Sequence, residues 1–194
     1  MKRFTPILAA AFIGLSLAGC ATITLAPAGA YSAGDAAYTL GRNWSDLTAV
    51  VPARGEGVHV LTIDGPLLNR MFLTDGIGEG QPIIRPVNRR EHRNPVYRSG
   101  SSATEQIEFI ADSLGAMDYQ SVETSGVRRA ERAGRNGIMF DITARTPEGL
   151  NISGLAQCIE VDGELYVAIF VAPTEHYFGV YQAEAQRVME SFRR

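Results

Sequence analysis

Five apolar-rich segments separated by turn residues fill the stretch from Tyr119 to Ala172. They are residues 119–124, 126–132, 137–145, 150–161 and 164–172, with Ser125-Gly126, Gly134-Arg135-Asn136-Gly137, Pro147-Glu148-Gly149 and Asp162-Gly163 between them. Turns this short leave neighbouring strands no choice but to run antiparallel. Ile138, Phe140, Ile142 and Ala144 alternate with Met139, Asp141, Thr143 and Arg145, the period of a strand with one face inward. Asp162-Gly163 between two β-rich runs is a two-residue hairpin signal. In the last segment Leu165, Val167, Ile169 and Val171 interleave with Tyr166, Ala168, Phe170 and Ala172. A strand apolar on both faces is central, or covered from both sides.

Residues 57–64 place Val58, Val60, Leu61 and Ile63 before Asp64-Gly65-Pro66, a strand stopped by a turn, and residues 67–73 return as its partner. Ile83-Ile84 marks a further short strand, and residues 85–103 are polar and irregular. Ser102-Ala103-Thr104-Glu105 has capping-box spacing, with Ile107, Ile110 and Leu114 following at helical intervals. This predicts a helix over 103–114, with Gly115 in the left-handed position that ends helices. Pro173 closes the last strand. Phe178, Tyr181, Ala185, Val188, Met189 and Phe192 then predict an amphipathic helix over 174–192, with Thr174 as its N-cap.

The predicted fold class is α+β: an antiparallel meander of about five to seven strands packed with two helices. This order of elements, with Leu165-Tyr166-Val167 running into Pro173, a helix and Ser191-Phe192, resembles the PsbP-like α/β/α sandwich over most of residues 38–192. The resemblance is one of topology and implies a fold, not an activity.

The amino terminus carries a different kind of information. Met1-Lys2-Arg3 supplies positive charge, residues 4–17 form an apolar run too short to span a bilayer, and Leu17-Ala18-Gly19-Cys20 brings small residues up to a cysteine. The segment resembles the leader and lipobox of bacterial lipoprotein precursors. That resemblance implies a diacylglycerol on the Cys20 sulfur, cleavage between Gly19 and Cys20, and acylation of the new amino group, with palmitate-like chains as the anchor. In the lipoproteins it resembles, an Asp after the cysteine favours inner-membrane retention, so Ala21 implies the outer membrane, and a domain facing the periplasm is the expectation. On this reading residues 1–19 are a signal peptide and residues 20–34, rich in Ala, Thr, Gly and Pro, are a lipidated start and flexible tether. Residues 35–194 form one α+β domain.

The 18 basic and 21 acidic residues give a net charge of −3, and Lys2 is the only lysine. No concentrated basic face of the kind nucleic acid requires is expected. With Cys20 assigned to lipid, Cys158 has no disulfide partner. Its neighbours Gln157, Ile159 and Glu160 offer no activating cation, so a small buried hydrophobe is expected there.

Catalytic patterns do not emerge. His59, His92 and His176 share no metal-ligand spacing, and no metal or cofactor is expected. Ser101-Ser102 is explained by capping, and no G-x-S-x-G elbow occurs. Asp64 is first a turn residue. Gly76-x-Gly78-x-Gly80 lacks the Lys-Ser/Thr and the helix of a phosphate loop. The cluster that draws attention is Arg85, Arg89, Arg90, Arg93 and Arg98, five guanidinium groups within fourteen residues of an acidic chain. Such groups suit phosphate or carboxylate, so the cluster is a candidate contact for anionic headgroups, a cell-wall polymer or an acidic envelope protein. Its plainer alternative is a solvated loop paired with nearby carboxylates. The expected function is a non-catalytic binding or assembly module, held at the membrane through its lipid. Two other readings compete. One is a hydrolase-like envelope enzyme with a dispersed site drawn from His59, Asp64 or His92. The other is a binder of a small apolar ligand held between sheet and helix near Phe170, Tyr181 and Met189.

Overall fold

The computed structural model describes residues 22–85, 94–132 and 134–194. Four short strands open it: β1 (Thr24–Ala26), β2 (Gly29–Ala33), β3 (Ala36–Leu40) and β4 (Trp44–Asp46). The hairpin β5 (Val58–Thr62) and β6 (Arg70–Thr74) follows, then helix α1 (Ala103–Gly115). Long strands β7 (Gln120–Arg132), β8 (Arg135–Arg145), β9 (Asn151–Val161) and β10 (Glu164–Pro173) lead to helix α2 (Gly179–Glu190). Eight strands make one sheet in the order β1-β4-β5-β6-β10-β9-β8-β7, and β2 and β3 form a separate ribbon. Every pairing in both sheets is antiparallel.

β10 is the hinge of the topology. It pairs with β9 along its whole length and with β6 on its other side, so the last strand returns between the two hairpins. Both its faces are buried, and the period of two sorts them. Leu165, Val167, Ile169 and Val171 join the core under α1, while Tyr166, Ala168, Phe170 and Ala172 join the core under α2 and the ribbon. The two-sided apolar pattern is what a sheet sandwiched between two layers requires. Each large side chain removed from water there contributes about 1.5–3 kcal/mol.

Among the described residues the fold class is therefore α+β with two α-helices, as the sequence predicts, though the main sheet has eight strands and is not a simple meander. The capping box forms as expected, with Ser102 Oγ accepting from Glu105 N and the Glu105 carboxylate accepting from Ser102 N. Several boundaries differ. Gly115 stays helical, and the left-handed residue is Asp118 with φ 67°, a conformation Asp tolerates. The break expected at Ser125-Gly126 is a bulge inside a continuous β7, where Gly126 takes φ 60° and a Cβ would collide with the Asp141 carboxylate. Ile84 makes only an isolated bridge to Arg54. Thr174 caps nothing. Residues Thr174–Phe178 form a π-helical turn, and the Thr174 hydroxyl shares a hydrogen bond with Ser153 Oγ at 2.9 Å.

The largest correction concerns residues 20–34. Where composition suggests a tether, Thr24–Ala26 is the edge strand of the main sheet and Gly29–Ala33 is half of the ribbon. Ala26, Ala33 and Ala36 are buried at 4%, 0% and 1% exposure. Small side chains let two layers approach closely, so the segment packs through proximity and not through bulk. The ribbon is tied to the carboxyl-terminal end as well: Ala37 and Arg193 exchange backbone hydrogen bonds at 2.9 Å, and Gly41 N donates to the buried Glu184 carboxylate at 2.7 Å.

Candidate functional site: a groove along helix α1

A groove of about 830 Å3 runs between α1 and the extended segment that precedes it. That volume lies within the range of ligand and peptide clefts. One wall is a single face of the helix, where Glu105, Glu108, Asp112 and Ala116 recur at three- and four-residue steps. The opposite wall is Asn94, Pro95, Val96 and Arg98, and Phe109, Tyr119 and Val122 supply apolar surface between them.

The wall facing the helix is held in place by Tyr97. Its ring is buried at 1% exposure and lies 6.0 Å from that of Phe109. Its hydroxyl donates to Glu160 Oε2 at 2.8 Å, and its backbone is hydrogen-bonded to Gln81 and Gly80. Burial, with the Glu160 charge beside it, pushes the Tyr97 hydroxyl well above its ordinary range, so it remains a donor. Gln106 completes the joint from the helix side, donating to Glu160 Oε2 at 3.2 Å and to Ser101 O at 3.1 Å. Both walls thus share one half-buried carboxylate, which makes the groove a preformed feature. The acidic rim adds a preference. Among the described residues, three carboxylates line one wall and Arg98 lines the other. The Ser102 backbone N–H and hydroxyl hold the exposed Glu105 carboxyl below its usual range.

The most perturbed titratable cluster lies elsewhere, on the α2 side of the β4–β5 edge. Tyr31 of the ribbon places its hydroxyl 2.9 Å from Asp46 Oδ2 and 2.9 Å from His59 Nδ1. Burial works against the Asp46 charge, but hydrogen bonds from Thr48 and Tyr31, together with His59, outweigh it and lower the pKa. Since an ionised Asp46 can only accept, the Tyr31 proton goes to it, and His59 must donate from Nδ1, leaving Nε2 as an acceptor. Burial lowers the His59 pKa despite the pull of Asp46 and Asp75, and burial raises that of Asp75. These residues line none of the three grooves described here; their geometry pins the ribbon to the sheet.

Other residues singled out in the sequence are scattered by the fold. Asp64 accepts from Asn69 Nδ2 at 3.3 Å within the β5–β6 turn and shares no partner with His59. His176 is exposed in the π-helical turn, edge-on to Tyr177 at 5.0 Å. Phe170, Tyr181 and Met189 belong to the packed layer under α2, where Phe170 meets Trp44 and Phe178, so the apolar-ligand site expected there is filled by side chains. Cys158 is fully buried, its thiol pushed up to about 12 by that burial and donating to Gln106 Oε1 at 3.5 Å. Of the arginine cluster, Arg98 lines the groove, while the Arg85 backbone is hydrogen-bonded to Ala53 at 2.6 Å, away from it. Arg89, Arg90, Arg93 and His92 lie outside the described residues, as do Gly19 and Cys20. The groove itself escaped the sequence reading; the acidic stripe at 105, 108 and 112 on a capped helix is the signal that points to it.

Two smaller hollows, of about 430 and 290 Å3, lie at the ends of β7–β9 and beside Arg194. Among the described residues no group of three or more His, Cys, Asp or Glu is placed to hold a metal ion, and no helix is long and apolar enough to cross a membrane.

Comparison with solved structures places the architecture. The solution structure of cyanobacterial PsbP (CyanoP) from Synechocystis aligns over 97% of this chain and 99% of its own, with a TM-score of 0.55 and 11% identity. The Ran-binding protein Mog1p from Saccharomyces cerevisiae aligns over 89% of this chain and 95% of its own, with a TM-score of 0.53 and 7% identity. The fold is similar to both. No family model and no curated protein matches the sequence. At these identities the likeness concerns the fold alone.

Proposed function

We propose that the chain is a lipid-anchored envelope protein whose domain binds an extended segment of another envelope protein in the α1 groove. The observation that carries this reading is the preformed groove, with apolar surface at Phe109, Tyr119 and Val122 and an acidic rail at Glu105, Glu108 and Asp112. A segment with an apolar side chain flanked by Arg or Lys matches it in shape and charge. The lipobox Leu17-Ala18-Gly19-Cys20 supports the anchor, and Ala21 supports the outer membrane as its site. One of the similar structures, Mog1p, is titled a Ran-binding protein, which favours a binding role over a catalytic one.

The test is photocrosslinking in intact cells from a benzoylphenylalanine placed at Ala111 in the groove, with Glu148 in an exposed turn as the control position. A discrete protein adduct from position 111 that is absent from position 148, and that is lost in the Glu105→Lys/Glu108→Lys protein, is the expected result. Identical adduct patterns from both positions would overturn the assignment of the groove.

A further inference from the structure

We infer that the β1 edge of the main sheet rests on the membrane surface, with Ile23, Leu25 and Val50 among the headgroups and Arg54 and Arg85 facing anionic phosphates. The inference rests on the lipid anchor proposed above, and it follows from where the folded chain begins. The sheet starts at Thr24, four residues after Cys20. Even fully extended, four residues span only about 14 Å. A tether running to Gly34 would let the domain roam; this one holds a particular edge against the bilayer.

The surface at that edge suits such a place. Ile23 and Leu25 are 59% and 67% exposed, and Leu25 points away from the α2 layer that takes its neighbour Ala26. β1 pairs with β4, and the 3-10 turn after β4 ends on Val50, 37% exposed. Arg54 is fastened to that turn by Nε donating to Thr48 O at 2.7 Å, and Arg85 is fastened next to it through its backbone bond to Ala53. Among the described residues neither guanidinium has a carboxylate within ion-pair distance. The acidic residue nearest Arg54 in sequence is the exposed Glu56, and Asp46 is engaged by Tyr31 and by Thr48 N. Exposed aliphatics together with two arginines that have no ion-pair partner among the described residues, close to where an acylated chain would emerge, match an interface of acyl chains and anionic headgroups.

The experiment uses the full-length acylated protein in vesicles of phosphatidylethanolamine and phosphatidylglycerol, with a nitroxide at Leu25→Cys or, separately, at Val127→Cys, 55% exposed on β7 at the opposite edge of the sheet. Cys158 is buried and escapes labelling. On going from detergent to vesicles, nickel-chelate access at position 25 is expected to fall severalfold and oxygen access to rise, with no change at position 127. Protein that floats with the vesicles but keeps position 25 in water refutes the docking alone. Protein that does not float refutes the anchor and the docking with it. Spin–spin broadening between labels at position 25 that persists in detergent assigns the edge to a second copy of the chain instead and also overturns the proposal.

Discussion

Replacing Tyr31 with Phe removes one oxygen and tests what holds the ribbon to the sheet. That hydroxyl makes two hydrogen bonds of 2.9 Å, one of them to an ionised carboxylate. A hydrogen bond to a charged group is worth about 1.5–3 kcal/mol and a neutral one about 0.5–1.5 kcal/mol. Asp46 keeps its bond from Thr48 N at 2.8 Å, and water reaches this half-buried site, so the net loss is about 1–2 kcal/mol. For a domain of this size that corresponds to a fall in Tm of about 2–8 °C, read by calorimetry at pH 7.5. The site also gives stability a pH dependence. The folded pKa of His59 lies below its ordinary 6.5, so the unfolded chain binds the proton more readily. Its contribution to stability is therefore present above about 6.5 and is lost as pH falls from there towards the folded value. Asp75 acts oppositely: its folded pKa lies above 3.8, so its contribution is present at low pH and is lost as pH rises through the folded value. His59→Gln should flatten the decline below about pH 6.5. A Tm for Tyr31→Phe within about 1 °C of the parent would show that the ribbon is held by its packing and its bonds to the carboxyl-terminal end, and not by the Tyr31 hydroxyl.

Three further outcomes follow from the packing. Ile169→Ala opens a cavity in β10, where the side chain has 0% exposure, and should cost about 2–5 kcal/mol in urea unfolding with an unchanged m-value. Ser102→Ala removes half of the capping box and should cost about 1 kcal/mol, with Ser102→Asp recovering most of it. Cys158 should resist iodoacetamide in the folded protein at pH 8 and react fully in denaturant, because burial pushes its thiol up to about 12.

What the sequence makes legible depends on whether the signal is local. The capping box spans four residues and the two-faced pattern of β10 spans eight, so each can be read along the chain and each is present in the structure. The ribbon could not be read that way. From β1 to the start of β3 the buried residues are Ala26, Ala33 and Ala36, residues common in linkers, and only the close approach of another layer turns them into a core. The Tyr31–Asp46–His59 cluster joins positions 15 and 28 residues apart, with no spacing rule to connect them. The groove is hidden for the same reason, since Tyr97 reaches across 63 residues to Glu160 to fix one of its walls. The return of β10 to β6 depends on a pairing between segments about a hundred residues apart, which turn chemistry does not encode.

The proposed envelope location and the proposed docking of the β1 edge both depend on acylation of Cys20. Mass spectrometry of the amino-terminal peptide from the mature membrane-bound protein measures this directly. The account predicts a chain beginning at Cys20 with a diacylglyceryl thioether and an acylated amino group. A mature chain with a free Cys20 thiol, or one cut at any other bond, would contradict it.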